Sequence, residues 1–306
     1  MTASARVRTG GIVAVHAHPD DESITMGATL ARYAAAGMPV TVVTATLGEQ
    51  GETMYGGLDG IDAAHADQLG GYRLSELENA CAALGIADRR MLGGLGAFRD
   101  SGMAGEPGAQ HPRAFIRAQA GGDRHDTAVA ALTAILTERR PQAVLSYDAT
   151  GGYGHPDHIA AHQVTAAAFA RYCDGAGHDA VPAPRLLEVV RPRSAVLAAL
   201  DTLWRIPLPG RYSRPNVDEL GTLVADGVAD IVIDARPWAE RRRAAMAAHA
   251  TQLDVWAGPV DGFALTNLKA QPLLTAEYFR VLAGPPAPTG AADLIAGLLP
   301  AGDGVR

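Results

Sequence analysis

Residues 18 to 22 read His-Pro-Asp-Asp-Glu and bring one histidine and three carboxylates into five positions. Ionisable groups this close together repel one another, compete for protons and lose hydration unless positive charge lies among them. The motif therefore indicates a site for a cation.

A second motif, Tyr-Gly-His-Pro-Asp-His at residues 153 to 158, repeats the order His-Pro-Asp. Each copy lies between a strand-like run and a helix-like segment. In an open parallel sheet such turns lie at the carboxyl ends of the strands, where ligands bind. They also lie at helix amino termini, whose free N–H groups favour anions. We therefore expect the two motifs to build one site.

Imidazole and carboxylate are ligands of catalytic zinc, which takes three protein groups and a water molecule. His18 and Asp21 lie three positions apart across the first turn and form the predicted ligand pair. The third ligand could be His155, His158 or His162. We choose His158 because it begins the helix, a choice that rests partly on the resemblance given below. Such a set prefers Zn²⁺ but also suits Fe²⁺ or Co²⁺.

The remaining polar groups of the two motifs suit hydrolysis of an amide. Asp20 is not needed as a ligand, so it can accept a proton from water as general base. His155, next to the carboxylate of Asp157, is expected to be oriented and partly protonated, ready to stabilise an oxyanion or protonate a leaving amine. Tyr153 could donate a further hydrogen bond.

Other readings exist for these and nearby residues. The first motif alone could be a helix amino terminus with acidic residues in its first turn. We expect His16 to be packed in the core, His249 to have a packing or supporting role, and the run from Arg241 to Arg243 to be a solvated helix face.

Composition excludes several classes of protein. A net charge of −7, an aromatic content of 5% and the lack of a basic block argue against nucleic-acid binding. No run approaches the roughly 18 apolar residues of a membrane span, and the amino terminus does not resemble a signal peptide. Cys81 and Cys173 are expected to be free thiols. We therefore expect a cytoplasmic protein without a nucleic-acid or membrane partner.

The elements that position the motifs follow an alternating pattern. Short β-branched runs, GIVAVHA, PVTVVTAT and QAVLSY, alternate with alanine-rich helical segments, including ATLARYAAAG, TAVAALTAILTERR and HIAAHQVTAAAFARY. A helix is also predicted from about Leu74 to Leu84, and residues 99–126 read as a long loop. The pattern predicts an α/β fold, a Rossmann-like and mostly parallel sheet with helices on both faces.

After residue 180 the pattern weakens. RLLEVV and DIVID read as strands and PWAERRRAAMAAHATQ as a helix. We predict a metal-binding catalytic domain over residues 1–180 and a smaller α/β extension over residues 181–306, which packs on the sheet and closes the substrate pocket.

The segments AHPDDE and GHPDH resemble the zinc-dependent N-acetylglucosaminyl-phosphatidylinositol deacetylase family. HADQLGGYRLSEL, RDSGMAG, GGYGHPDH and AAHATQ resemble the branch of that family that acts on N-acetylglucosaminyl-inositol in mycothiol biosynthesis, and the resemblance covers most of the first 255 residues. It implies a zinc hydrolase that removes acetate from this small amino-sugar inositol substrate.

Carried onto this sequence, the resemblance implies zinc on His18, Asp21 and His158. It implies that Asp20 is the general base and that His155 and Tyr153 lie at the oxyanion. It also implies substrate contacts from Arg73 and Asp100, and Glu52 would lie on the same rim. Such polar groups suit a substrate made of hydroxyls. For Arg73 an ordinary helix-surface charge is an equal alternative.

Two other functions stay open. A mycothiol S-conjugate amidase, or another N-acetyl sugar deacetylase of the family, would share the fold and the metal site. A non-catalytic metal-binding or sugar-binding module would keep the ligands but would not need a free carboxylate at Asp20 or an oriented His155. The presence of both groups favours an enzyme.

Overall fold

The computed structural model describes residues 10–54, 58–175 and 183–298. The strands are β1 (Ile12–His16), β2 (Val40–Thr44), β3 (Asp88–Met91), β4 (Ala143–Ser146), β5 (Arg185–Val190), β6 (Ile231–Asp234), β7 (Leu253–Trp256), β8 (Gly262–Leu265), β9 (Ala270–Pro272) and β10 (Ala276–Ala283). The helices are α1 (Asp21–Ala35), α2 (Leu69–Leu84), α3 (His125–Arg139), α4 (Gly151–Gly154), α5 (Pro156–Gly175), α6 (Arg193–Leu203) and α7 (Ala239–Ala248).

Seven strands form one sheet in the order β3-β2-β1-β4-β5-β10-β6. The first five strands in this order are parallel, whereas β10 runs antiparallel to both of its neighbours. Every residue of β1, β2 and β4 is buried, as parallel strands covered on both faces require. The predicted fold class is confirmed.

Helices cover both faces of the sheet. Alternate residues of β1 point to opposite sides: Ile12 packs in a core formed with α1, α2 and α7, and Val13 packs in a core formed with α3 and α5. His16 is fully buried, as expected. No helix of the described ranges is long and apolar enough to cross a membrane.

The carboxyl-terminal portion is more extensive than the sequence pattern indicates. It contributes β5, β6 and β10 to the main sheet, and a separate antiparallel sheet is built in the order β7-β8-β9. Met246 of α7 packs on the smaller sheet through Phe263 and Leu273. The division at residue 180 stays a prediction. Strands from both sides of residue 180 pair within one sheet.

The strand order reverses between β1 and β4. The chain proceeds outward from β1 to β2 and β3 in one direction, and from β4 to β5 in the other. At such a switch point the loops after the two central strands diverge and leave a crevice for ligands. Both His-Pro-Asp motifs lie at this crevice, since one follows β1 and the other follows β4.

Candidate metal centre and active site

The two motifs bring three donor groups within a few ångströms of one another. His18 Nδ1 lies 3.2 Å from His158 Nε2. The carboxylate of Asp21 faces both rings, with Oδ2 at 3.5 Å from His18 Nδ1 and Oδ1 at 3.4 Å from His158 Nε2. All three side chains are buried. Two imidazole nitrogens and a carboxylate edge therefore converge on one point.

Hydrogen bonds orient both rings toward that point. His158 Nδ1 lies 3.0 Å from the carbonyl oxygen of Gly151, which leaves Nε2 as the free acceptor. His18 Nε2 lies 3.4 Å from Asp157 Oδ2 and 3.5 Å from Asp100 Oδ1, which leaves Nδ1 free. Partners of this kind fix the tautomer and raise the basicity of a metal-ligating histidine.

The charges around His18 also favour a cation. Burial would lower the pKa of His18, but the carboxylates of Asp100, Asp157 and Asp21 raise it well above its usual value. Several buried carboxylates thus compete for one ring proton. A divalent metal ion would supply the positive charge that the cluster lacks.

His18 takes part in two groups of potential ligands among the described residues. One group consists of His18, His155 and His158, and the other of His18, Asp100 and Asp157. The residues present can therefore hold a metal ion. His162 points elsewhere, because its Nδ1 lies 2.9 Å from the carbonyl oxygen of Tyr147.

Asp20 lies beside the ligands and next to Arg73. Its Oδ2 is 3.3 Å from Arg73 Nη2, which also donates to the carbonyl oxygen of Pro19 at 2.5 Å. Burial raises the pKa of Asp20 to about 7, the carboxylate of Asp21 adds to the rise, and Arg73 opposes it. A carboxylate with a pKa near neutrality is suited to accept a proton at neutral pH.

His155 differs from the expected partly protonated group. Burial, followed by the neighbouring rings of His18 and His158, lowers the pKa of His155 to about 3. The amide of Asp157 donates to its Nδ1 at 3.2 Å, so the neutral ring carries its proton on Nε2. His155 can therefore donate a hydrogen bond as neutral imidazole, and the expectation of a partly protonated ring is wrong.

The carboxylate of Asp157 also has a different position from the expected one. It accepts a hydrogen bond from the amide of Ser101 at 2.9 Å and faces His18 Nε2. Its contact with His155 is made by the main chain. The expectation that this carboxylate orients His155 is therefore wrong, because Asp157 at the start of α5 faces the predicted ligand His18 instead.

The remaining predicted residues line one cavity of about 520 Å³ together with the predicted metal ligands. They are Tyr153, Arg73, Asp100 and Glu52. Tyr153 is 55% exposed as a residue, and its ring lies edge-on to His158, with centroids 5.0 Å apart. Arg73 is only 3% exposed, so the reading as a helix-surface charge is wrong.

Asp100 accepts hydrogen bonds from the amides of Gln50 and Gly102 and faces His18, which fixes it at the cavity wall. The carboxyl-terminal portion also lines the cavity, with residues that include Phe263, Asn267 and Gln271. A cavity of this size accommodates a small organic ligand.

Sequence reasoning missed Tyr147, the residue that follows β4. Its ring stacks on His158 with centroids 4.2 Å apart, and its hydroxyl accepts the amide N–H of Ala17 at 2.8 Å. Burial would raise the pKa of Asp21, but His158, His18 and, to a smaller extent, a hydrogen bond from the Tyr147 hydroxyl lower it well below its usual value. Its place at the carboxyl end of β4, in the same strand-to-helix connection as the second motif, was the available signal.

Comparison with known proteins adds a family and named relatives. A family model described as PIG-L: GlcNAc-PI de-N-acetylase matches residues 13–169. A protein of Nakamurella multipartita named 1D-myo-inositol 2-acetamido-2-deoxy-alpha-D-glucopyranoside deacetylase is 55% identical over 292 residues, 94% of this chain and 96% of the relative. A protein of Rhodococcus erythropolis with the same name is 44% identical over 299 residues, 95% of each chain.

A solved structure shares the fold over most of the chain. The 4-carboxy-2-hydroxymuconate hydratase of Pseudomonas putida matches with a TM-score of 0.56 and 17% identity, covering 92% of this chain and 100% of the hydratase. The two chains therefore share an architecture. Since one fold hosts many reactions, this likeness carries nothing about activity.

Proposed function

The chain belongs to the GlcNAc-PI de-N-acetylase family, and on that premise we propose that it is a zinc-dependent deacetylase of mycothiol biosynthesis. Its substrate is 1D-myo-inositol 2-acetamido-2-deoxy-α-D-glucopyranoside, from which it releases acetate and a primary amine. The deacetylases named above support this substrate, and the convergence of His18, Asp21 and His158 beside Asp20 carries the chemistry. We further propose that the enzyme acts in the cytoplasm.

The spacing of the donor atoms supports zinc. Ligands of one tetrahedral zinc ion lie about 3.3 Å apart when each bond is about 2.0 Å long. The separations are 3.2 Å between His18 Nδ1 and His158 Nε2, 3.4 Å between His158 Nε2 and Asp21 Oδ1, and 3.5 Å between His18 Nδ1 and the other carboxylate oxygen, Asp21 Oδ2. Fe²⁺ or Co²⁺ would suit the same donors, so metal analysis is needed to identify the ion.

The side chains around the ligands divide the reaction between them. When bound, the metal would polarise the substrate carbonyl and activate water. Asp20 accepts the proton of the attacking water, and Arg73 holds its carboxylate. The protonated Nε2 of His155 and the hydroxyl of Tyr153 donate to the oxyanion that forms on the acetamide. The proton held by Asp20 is then available for the leaving amine.

The test is incubation of purified, metal-loaded protein with the inositol glycoside, with acetate and primary amine measured separately. We expect equal amounts of both products, loss of turnover on chelation, and a fall in kcat of about 10²–10⁴-fold in Asp20→Asn. Loaded wild-type protein that leaves the glycoside intact would refute the proposal.

A mycothiol S-conjugate amidase remains the second candidate, because it would use the same metal site with a bulkier substrate. The ratio of kcat/KM values for the inositol glycoside and for a mycothiol conjugate separates the two. N-acetylglucosamine alone serves as the third substrate and measures how much the inositol contributes to recognition.

A further inference from the structure

Asp20 has an unusual main-chain conformation. Its φ of 113° and ψ of −33° lie outside the regions that residues with a side chain normally adopt. Such conformations persist only where surrounding groups hold them, and they concentrate at functional sites. The contacts of the Asp20 main chain therefore decide where its carboxylate points.

One of these contacts comes from Glu22, two residues along the chain. The amide N–H of Asp20 donates to Glu22 Oε2 at 3.1 Å. The other oxygen, Oε1, accepts the hydroxyl of Ser23 at 2.6 Å and lies 2.7 Å from His249 Nε2. The side chains of Glu22 and His249 are both fully buried.

His249 holds Glu22 from a distant part of the chain. It follows α7, and its amide N–H donates to the carbonyl oxygen of Met246, which closes the end of the helix. Its own carbonyl oxygen accepts the amides of Gln252 and Leu253. The main chain that carries the ring is therefore fixed by the turn between α7 and β7.

We propose that the Glu22–His249 pair is a positioning device that holds the strained main chain of Asp20 and so aims its carboxylate at the substrate. The inference rests on the proposed function, in which Asp20 is the base. Without the acceptor on Glu22, the amide of Asp20 loses its partner and φ can relax toward negative values. This rotation moves the carboxylate out of its 3.3 Å contact with Arg73.

The same contacts could serve only to stabilise the packing of α7 on α1, so the test must separate the two roles. If the role is only structural, loss of the contacts should lower stability, metal affinity and activity together. A positioning device predicts that kcat falls while KM and metal affinity change little, because Asp21 is held independently by the amide of His18 at 2.9 Å.

The deciding comparison is Glu22→Ala with Glu22→Gln. In Glu22→Ala we expect kcat to fall about 10–100-fold, the size of effect that a misplaced reacting group produces, with KM and zinc affinity within about threefold of wild type. In Glu22→Gln the amide oxygen still accepts the Asp20 N–H, so kcat should stay within about fivefold.

A second pair of variants, His249→Ala and His249→Gln, tests the same positioning role by changing the partner of Glu22. Glutamine retains a donor for Glu22 and should restore kcat relative to alanine, so this pair decides the matter where Glu22→Ala does not fold. A crystal structure of the alanine variant that folds gives a readout apart from activity, since φ of Asp20 should become negative.

Tyr33→Phe is the matched control. Tyr33 lies on the same helix, is buried, accepts the amide of Leu294 at 2.7 Å and donates to Asp293. Loss of the Tyr33 hydroxyl should lower the melting temperature without changing kcat. Equal losses of kcat in Glu22→Ala and Glu22→Gln, or a Glu22→Ala kcat within twofold of wild type, would overturn the inference.

An inactive wild type would refute the proposed function instead. The conformation of Asp20 in the alanine variants would still decide whether the pair holds the strained residue.

Discussion

His18 presents its two ring nitrogens to two different sets of groups. Nδ1 faces His158 and Asp21, whereas Nε2 faces the buried carboxylates of Asp157 and Asp100. A carboxylate on the far nitrogen strengthens the near nitrogen as a ligand. We therefore expect Asp157→Asn to weaken zinc binding about tenfold or more, measured by competition with a chromogenic chelator.

Asp123→Asn is the control for that prediction. Asp123 is an exposed carboxylate paired with Arg117 on the surface, so its replacement should leave zinc affinity unchanged. If Asp157→Asn binds zinc as tightly as this control, His18 does not depend on Asp157 for its orientation.

The sequence predicted those residues whose partners lie close along the chain or in the matching motif. The spacing of His18 and Asp21 across one turn was sufficient to pair them. Glu22 was readable only as a first-turn carboxylate, because its partner His249 lies 227 residues away. Spacing carries no information about a contact that depends on where α7 packs.

At the scale of elements, the turn before α5 determines where His158 lies. Gly151 has a φ of +66°, and a Cβ there would approach His158 Cβ to 2.6 Å. Gly151→Ala must therefore displace the first turn of α5. We expect kcat/KM to fall about 10–100-fold, together with zinc affinity.

Gly154→Ala separates crowding from backbone strain in the same turn. Gly154 also has a positive φ, +90°, but no atom lies within 4 Å of the position its Cβ would take. This variant should lose stability through strain alone, with near-normal zinc affinity. Equal losses of zinc affinity in the two variants would show that strain, and not contact with His158, is responsible.

Helix α1 is interrupted at Met26, and a buried ion pair satisfies the groups exposed there. Arg242 donates to the carbonyl oxygens of Ser23 and Ile24. Glu277 accepts the amides of Ala28 and Thr29 at 3.0 and 2.7 Å. Arg242 Nη1 lies 3.5 Å from Glu277 Oε1, so the pair bridges the interruption. The first turn of α1, which carries Asp21, depends on this bridge.

Removing one member of a buried pair leaves the other charge without compensation. We therefore expect Arg242→Met to lower the free energy of unfolding by about 3–5 kcal/mol, measured by urea denaturation. Arg241→Met, its exposed neighbour, should change stability by less than about 0.5 kcal/mol. A similar small effect in both variants would contradict the bridging role.

The expectation of a solvated face for Arg241 to Arg243 is thus wrong for Arg242, which is 6% exposed. Three consecutive arginines on a helix point in different directions. The packing of α7 on α1 determines which of them is buried. The other buried residues of α7 are Ala245 and Met246, which give the helix only a weak apolar face in the sequence. The amino-acid sequence alone therefore could not identify Arg242 as the buried arginine.

For the whole molecule, the predictable part was the buried parallel sheet. The strands β1, β2 and β4 are uniformly buried and appear as continuous β-branched or apolar runs. The run DIVID also predicted β6, although its residues alternate between buried and exposed. In contrast, β7, β8 and β9 have only three or four residues each and were not predicted. Their pairing depends on long-range contacts that a short run cannot specify.

The shared sheet also links the metal site to the carboxyl-terminal portion. The proposed ligands His18, Asp21 and His158 precede residue 180, whereas all three tryptophans, Trp204, Trp238 and Trp256, follow it. Strand β4 pairs directly with β5, and α7 packs on α1. A ligand that stabilises the first part should therefore stabilise the second part as well.

Removal of the metal tests this linkage. At free zinc near 100 times Kd, binding stabilises the native state by about 2.7 kcal/mol. In a chain of this size the melting temperature should then fall by about 4 °C on chelation. We expect tryptophan fluorescence and far-ultraviolet circular dichroism to report the same shift, and His158→Ala to show no shift with either probe. A fluorescence transition that does not respond to zinc, beside a dichroism transition that does, would show that the two portions unfold separately and would support a domain boundary near residue 180.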